Sequence, residues 1–281
     1  MNGRENEGIS YKQRAEASVT DAVRTDDGLP EGKSPAPELL DGERLDDTGF
    51  GGIRLIQKPE EFCYGIDAVL LADFAASFTG ADSFADLGTG TGIVPLLLSH
   101  MTAAKRITGI EFLENSFKRA ERNARLNGLT DRVSFVHADV SDTKTVLQKT
   151  GTVQAVVSNP PYMKKGAGLT NSNGAKFAAR HETTAGIEDF VRTAAAILEE
   201  RGDFFLVHRP MRLVDICTAC RDYRLEPKHI RFVSPDRDSA PNIMLLHCVK
   251  SAGSELRFLD PLSVYSGKGV YSDEINRIYG R

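Results

Sequence analysis

The chain has 281 residues, 41% of them apolar and 26% charged, the balance of a globular protein with a sizeable core. No run approaches the about eighteen apolar residues that a membrane helix needs, and the opening Met1–Gly8 has no apolar signal region. Four unevenly spaced cysteines outline no disulfide framework, so a reduced, cytoplasmic protein is expected. The net charge of −4 is unevenly divided: residues 1–47 carry six Lys/Arg and twelve Asp/Glu, a net of −6, which leaves 29 basic and 27 acidic groups elsewhere, a net of +2. The body therefore admits a polyanionic partner without demanding one.

Residues 1–47 are rich in Gly, Glu, Asp and Ser, hold Pro35 and Pro37 close together, and read as a disordered acidic extension. The folded domain then runs over 48–281, with 48–82 as a short segment ahead of the core. Within it Gly52–Gln57 is extended, and Tyr64–Phe74 is a loop entering a helix. From Ser83 the pattern alternates. Strands are expected at Ser83–Leu87, Arg106–Glu111, Val133–His137, Val153–Ser158, Asp203–Val207, Ile230–Val233 and Ile243–Val249. Helices are expected at Ile93–Ser99, Asn115–Leu126 (Lys/Arg on its polar face, Asn127-Gly128 as its stop), Ile187–Leu198 and Leu213–Tyr223. This predicts an α/β fold: a Rossmann-like, seven-stranded, mostly parallel sheet with helices on both faces. Ligands of such sheets lie beyond the carboxyl ends of the strands, where the motifs below fall. The polar stretch Lys164–Ala179 reads as a mobile flap beside them.

Asp86-Leu-Gly88-Thr-Gly90-Thr-Gly92 joins the first core strand to its helix. Alternate glycines let a ligand lie against backbone. A dinucleotide fingerprint would need a glycine where Ile93 stands. Asp followed by G-x-G-x-G is instead a methyltransferase pattern, and S-adenosylmethionine supplies the chemical reason: its ammonium suits Asp86. Glu111, at the next strand end, is placed to accept both ribose hydroxyls, Asp139 after the third strand to bond the adenine edge, and Phe112 to cover the adenine face.

Ser158-Asn159-Pro160-Pro161-Tyr162 follows the fourth strand. An exocyclic base nitrogen is a poor nucleophile because its lone pair is spread into the ring. A catalyst for it must accept hydrogen bonds from the N–H groups, so that the lone pair localises and faces the methyl donor. The Asn159 side-chain oxygen and the Pro160 carbonyl are such acceptors; Pro160 and Pro161 stiffen the loop, and Tyr162 can stack on a planar group. A carbon-5 pyrimidine methyltransferase would need a cysteine nucleophile in this loop, and it has none. Cys217 and Cys220 form C-x-x-C, but inside a helix and without a second ligand pair, so they read as small core residues and no metal is expected. His181 and His208 have no Ser or Cys partner that would suggest nucleophilic catalysis.

With these residues in view the chain resembles the class I amino-methyltransferases, and more narrowly the bacterial tRNA(Val) adenine-N6 methyltransferase family. The resemblance runs from about residue 50 to the C-terminus. It is carried by Tyr64-Gly-Ile-Asp-Ala-Val-Leu-Leu71, Asp86–Gly92, Asn159–Tyr162, Ala179–Glu182 and Tyr271–Gly280. It implies N6 methylation of an adenine beside a tRNA anticodon, with S-adenosylmethionine as cofactor and Tyr64–Asp67 closing over that cofactor. Asn-Pro-Pro-Tyr itself is shared by adenine-N6, guanine-N2 (including rRNA) and protein glutamine methyltransferases, whose acceptors are all conjugated nitrogens. The glutamine enzymes usually carry a helical N-terminal domain, for which this chain has little room. A non-catalytic RNA-binding protein is a further alternative, opposed by the intact loop and acids. Between His208 and Arg237 seven cations (Arg209, Arg212, Arg221, Arg224, Lys228, Arg231, Arg237) outnumber four acids. With Lys164, Lys165, Lys176 and Arg180 they could form a rim for tRNA phosphates, or be ordinary solvated faces.

Overall fold

Strand-forming and helix-forming runs alternate after Ser83, and the chain folds accordingly. The computed structural model describes residues 37–61, 63–162 and 185–281. A hairpin comes first, β1 (Arg44–Asp47) antiparallel to β2 (Arg54–Gln57). Then follow α1 (Ile66–Phe78), β3 (Ser83–Leu87), α2 (Ile93–Met101), β4 (Arg106–Glu111), α3 (Glu114–Leu126), β5 (Val133–His137), α4 (Thr143–Thr150) and β6 (Val153–Ser158). After the undescribed 163–184 come α5 (Ile187–Ile197), β7 (Leu198–His208), α6 (Leu213–Asp222), β8 (Leu225–Ser234) and β9 (Ile243–Lys250). Short strands β10 (Arg257–Phe258) and β11 (Leu262–Ser263), the hairpin β12 (Tyr265–Gly267) and β13 (Val270–Tyr271), and helix α7 (Asp273–Ile278) close the chain.

The seven principal strands lie in the order β8-β9-β7-β6-β3-β4-β5, and β10 and β11 extend the β8 edge in parallel. Strands β3 to β7 are mutually parallel; β9 runs antiparallel to both its neighbours. The chain winds outward from β3 through β4 to β5, then crosses to β6 on the other side of β3. Such a switch point opens a crevice at the carboxyl ends of β3 and β6.

Side chains alternate across the sheet and divide the core. Phe84, Ala155, Val157, Phe205 and Val207 pack with α1, α2 and α7 on one face. Ala85, Leu87, Val156, Phe204 and Leu206 pack with α4, α5 and α6 on the other. Both faces are sealed, which is why these strands read as near-continuous apolar runs. Helix α1 is apolar almost all round and buries Ala68–Ala72, Phe74 and Ala75. Each large aliphatic side chain fully removed from water there contributes about 2 kcal/mol.

Three expectations need correction. The extension read as unstructured to residue 47 is ordered before that point, because Arg44–Asp47 is a strand and Glu43 is tied to the core. The charged face of α3 is not all solvated: Arg119 and Asn123 are buried under the hairpin. Arg119 pairs with Glu43 at 3.1 Å and Glu61 at 2.8 Å. Asn123 completes the edge of β2 as a strand neighbour would, accepting from the Ile56 amide at 2.7 Å and donating back to its carbonyl at 3.2 Å. Third, β8 begins five residues before the expected Ile230. Pro227 lies in it beside a register shift, where β8 bulges by one residue against β9. Helix α4 was not anticipated; Asp142 caps it by accepting from the Thr145 amide at 3.1 Å. The flap expected at 164–179, like most of residues 1–47, lies outside the described residues.

The last helix is fastened by charge. Arg231, 4% exposed, makes two contacts with Glu274, at 2.8 and 2.9 Å. Removing Glu274 takes two charge-assisted hydrogen bonds from a buried guanidinium. Glu274→Ala should therefore cost about 3 kcal/mol in urea unfolding, and an unchanged midpoint would show that α7 is held by Ile275 and Ile278 alone.

Candidate active site

Two loops meet at the switch point. In the β3–β6 register Asp86 faces Val157 and Leu87 faces Ser158, so the glycine turn and the Asn159 loop leave the sheet side by side. The Ser158 hydroxyl fastens them by donating to the Leu87 carbonyl at 2.9 Å.

Within the glycine turn, Gly88 and Thr89 donate their amides to the Ile110 carbonyl, both at 2.9 Å, which locks the turn to β4. Gly92 begins α2 at φ +85°, and a Cβ there would strike the Phe135 ring at 2.7 Å; this glycine exists for packing. Gly90 differs: its φ is +58°, and a Cβ would meet no atom within 4 Å. The open space beside it is where a ligand can lie against the backbone. From behind, Asn123 donates to the Thr91 carbonyl at 2.9 Å, so one buried amide serves both β2 and the turn.

Asp86 is 2% exposed and shares the α1–α2 face of the sheet with Phe84. Burial drives its carboxyl up to about 7, against the smaller pull of the nearby Thr89 hydroxyl; Glu111 adds to the rise. Among the described residues neither its Oδ2 nor the Thr89 Oγ1 has a hydrogen-bond partner. A buried, half-ionised carboxylate with an orphaned oxygen is costly unless a cation arrives. Glu111 holds the turn, accepting from the Gly90 amide at 2.8 Å through Oε2 and from the Leu113 amide at 2.8 Å through Oε1. Burial raises its pKa too, opposed by those backbone amides. Each oxygen keeps a lone pair for a further donor. Phe112 is 43% exposed, unusual for so large a ring, and its carbonyl is bonded to His137 Nε2 at 2.8 Å. Asp139 Oδ1 accepts from the Ser141 amide at 2.8 Å in the turn after β5. An orphaned carboxylate, an open glycine cradle, a diol-competent glutamate and an exposed ring fit the parts of S-adenosylmethionine.

The second loop is more tightly organised than its sequence suggested. Tyr162 donates its hydroxyl to Asp67 Oδ2 at 2.7 Å and reaches Asn159 Oδ1 at 2.9 Å. Asn159 Nδ2 donates to the same Asp67 oxygen at 3.2 Å. Pro160 is buried and Pro161 exposed. Arg209 lies over the Tyr162 ring, its guanidinium carbon 4.9 Å from the centroid, and His208 meets that ring edge-on at 5.0 Å. Burial, then the Arg212 charge, holds His208 down at about 4, so it is neutral at physiological pH. Three cations of the basic rim are ion-paired: Arg212 with Asp215, Arg221 with Glu226 and Arg231 with Glu274. Lys164, Lys165, Lys176, Arg180 and His181 lie outside the described residues.

The sequence-predicted residues thus gather as two clusters, with two departures. Asp67 sits with Asn159 and Tyr162. Tyr64 packs against the core, its backbone amide donating to Gln57 Oε1 at 3.1 Å. Missing from the sequence reading were Asn123, which supports the turn, and the place of Arg209, expected there only in the basic rim, over a face of Tyr162. No local pattern marks either, since each acts on a segment distant in the chain. Cys220 is buried in the core, and burial pushes the half-buried Cys217 thiol up to about 11.

The Asp86 environment has a measurable sign. Its folded pKa lies above the unfolded one, so the ligand-free protein loses stability as pH rises from the ordinary carboxyl range to about 7. Asp86→Asn should melt above the unaltered protein at pH 8, with the difference gone below about pH 4. Binding a cation needs the ionised form. Calorimetric affinity for S-adenosylmethionine should fall as pH drops below 7, tending towards about tenfold per unit, and the asparagine variant should flatten that profile. An unaltered protein that melts higher at pH 8, or binds independently of pH, would show that Asp86 is not the cation's partner.

The methyltransferase small domain family matches residues 55–213, more than half of the chain. A tRNA1(Val) (adenine(37)-N6)-methyltransferase of Porphyromonas gingivalis is 28% identical over 220 residues, covering 76% of this chain and 86% of the relative. Its namesake from Flavobacterium johnsoniae is 26% identical over 210 residues, covering 75% and 87%. Among solved structures, a predicted O-methyltransferase from Agrobacterium tumefaciens superposes with a TM-score of 0.61 at 24% identity, covering 76% of this chain and 95% of that one. A T. thermophilus 16S rRNA N2 G1207 methyltransferase gives 0.52 at 21% identity, over 77% of this chain and 53% of that one. These structural likenesses establish the Rossmann-like methyltransferase fold. The chain belongs to the methyltransferase small domain family and uses S-adenosylmethionine as its methyl donor.

Proposed function

We propose that the protein methylates the exocyclic N6 of an adenine in tRNA, next to the anticodon. The observation that carries this reading is the extent of the match to relatives named for that reaction: it spans most of both chains and includes the glycine turn and the Asn159 loop. The loop's chemistry supports any conjugated nitrogen, whether adenine N6, guanine N2 or a glutamine amide. Only the relatives' names single out adenine and tRNA.

Asp86, Glu111, Phe112 and Asp139 would hold the cofactor by its ammonium, ribose and adenine, with Gly88, Gly90 and Gly92 giving it room. S-adenosylmethionine, when bound, supplies a methyl group on a cationic sulfur. The protein's own part is to present the acceptor. Asn159 Oδ1 accepts one N–H of the amino group and the Pro160 carbonyl the other, which draws the lone pair out of conjugation and aims it. Both acceptors belong to a proline-stiffened loop, so little reorganisation remains when substrate arrives. Tyr162 supplies an aromatic wall for the base, backed by Arg209. Arg209 is a phosphate-binding candidate, and a cytoplasmic setting follows from a tRNA substrate.

Mass spectrometry of nucleosides from individual tRNAs, with and without the gene, tests the reading. Loss of N6-methyladenosine from one tRNA supports it; methyl incorporation into protein, or at guanine, moves it to the corresponding alternative. In purified protein Asn159→Ala should lower turnover about a hundredfold or more with cofactor affinity nearly intact. Unchanged turnover would remove Asn159 from the reaction.

A further inference from the structure

An asparagine side chain can sit in its site two ways round, and only one serves this reaction. With Oδ1 toward the acceptor it takes an N–H bond; turned over, it presents Nδ2 hydrogens to the substrate's own N–H groups, which repel them. Something must choose. Asp67 lies at the start of α1, a helix anchored by seven buried residues, and 92 positions from Asn159 in sequence. Its carboxylate, ionised, accepts hydrogen bonds and donates none, so it can pair with Nδ2 and not with Oδ1.

We infer that Asp67 is a positioning residue of the transfer reaction, acting through Asn159 by fixing which end of its amide faces the acceptor, and is not a cofactor ligand. The inference rests on the role proposed above for Asn159. Three contacts carry it. The amide nitrogen donates to Asp67 Oδ2 at 3.2 Å, the Tyr162 hydroxyl reaches the same oxygen at 2.7 Å, and that hydroxyl stands 2.9 Å from Asn159 Oδ1. The phenol has one proton for two acceptors. The carboxylate is charged and nearer, so it takes the larger share, and Asn159 Oδ1 keeps a lone pair for an incoming N–H. The carboxylate also draws on the Nδ2 hydrogen, which puts more electron density on Oδ1 and makes it the better acceptor. Asp67 thus does two jobs at a distance from the reacting nitrogen: it selects the amide's orientation and strengthens its oxygen.

Asp67→Asn tests this, since it keeps the shape and removes the acceptor-only character: the new amide can offer oxygen or nitrogen, and Asn159 then samples both orientations. The variant should lose about 10- to 100-fold in kcat, with the calorimetric affinity for S-adenosylmethionine unchanged. A second readout needs no substrate. In protein labelled with nitrogen-15 on asparagine, the Asn159 side-chain amide, assigned by its loss in Asn159→Ala, should show a downfield, slowly exchanging proton that moves upfield in Asp67→Asn. Tyr162→Phe, which spares the carboxylate–amide contact, should keep that signal. Asp67→Ala replaces the asparagine variant if melting shows the latter unfolded. A cofactor affinity lowered tenfold with kcat retained would return Asp67 to the cofactor, and an Asn159 signal unmoved by loss of the carboxylate would likewise overturn the inference. If the unaltered protein methylated no adenine in tRNA, the substrate reading would fail, while the amide signal would still decide the role of Asp67.

Discussion

Parallel pairing of β3 with β6 is the constraint on which the rest of the molecule depends. Residues adjacent in that register are about seventy positions apart in the chain, yet the loops that follow them must emerge as neighbours. One loop is built to have no side chains in the way, the other to have its backbone fixed by prolines. Their contrast in stiffness and openness makes sense only because they face one crevice. Ser158, which ties the two strands at their last shared residue, sets the spacing between the donor and acceptor halves of the site.

The site is held open at a cost to the empty protein. A buried carboxylate whose proton is half lost near neutrality, with one oxygen unpartnered, is a liability that the core around it has to offset. The same burial makes the group an effective partner for a cation, because the dielectric that penalises it alone strengthens the pair. Glu111 solves the neighbouring problem differently: backbone amides satisfy one lone pair on each oxygen, so it is anchored before any ligand comes.

Much of this was legible in the chain. Four of the parallel strands match their expected limits to the residue, and in the three inner ones, β3, β4 and β6, burial on both faces gives an abrupt apolar boundary. The glycine turn and the Asn159 loop were recognisable because their chemistry is local. What stayed hidden was nonlocal or masked by composition. Arg119 and Asn123 look like surface residues on a polar helix, and only the hairpin lying across them makes them interior. Helix α4 has just two apolar residues, buried Val146 and exposed Leu147, so its period is faint in the sequence. Pro227 hid the start of β8. Asp67 was noticed, but its partner Asn159 lies in another part of the sequence, and no spacing rule connects them.

Asn123 bonds the edge of β2 with one end of its amide group and the glycine turn with the other. One side chain therefore joins the hairpin to the glycine turn, and Arg119 clamps the same hairpin through Glu43. The family match begins at residue 55, inside β2. Anyone trimming a protein of this kind to that boundary for expression would remove β1 and Glu43, leave Arg119 with Glu61 but with half of its clamp gone, and loosen the hairpin that Asn123 ties to the glycine turn.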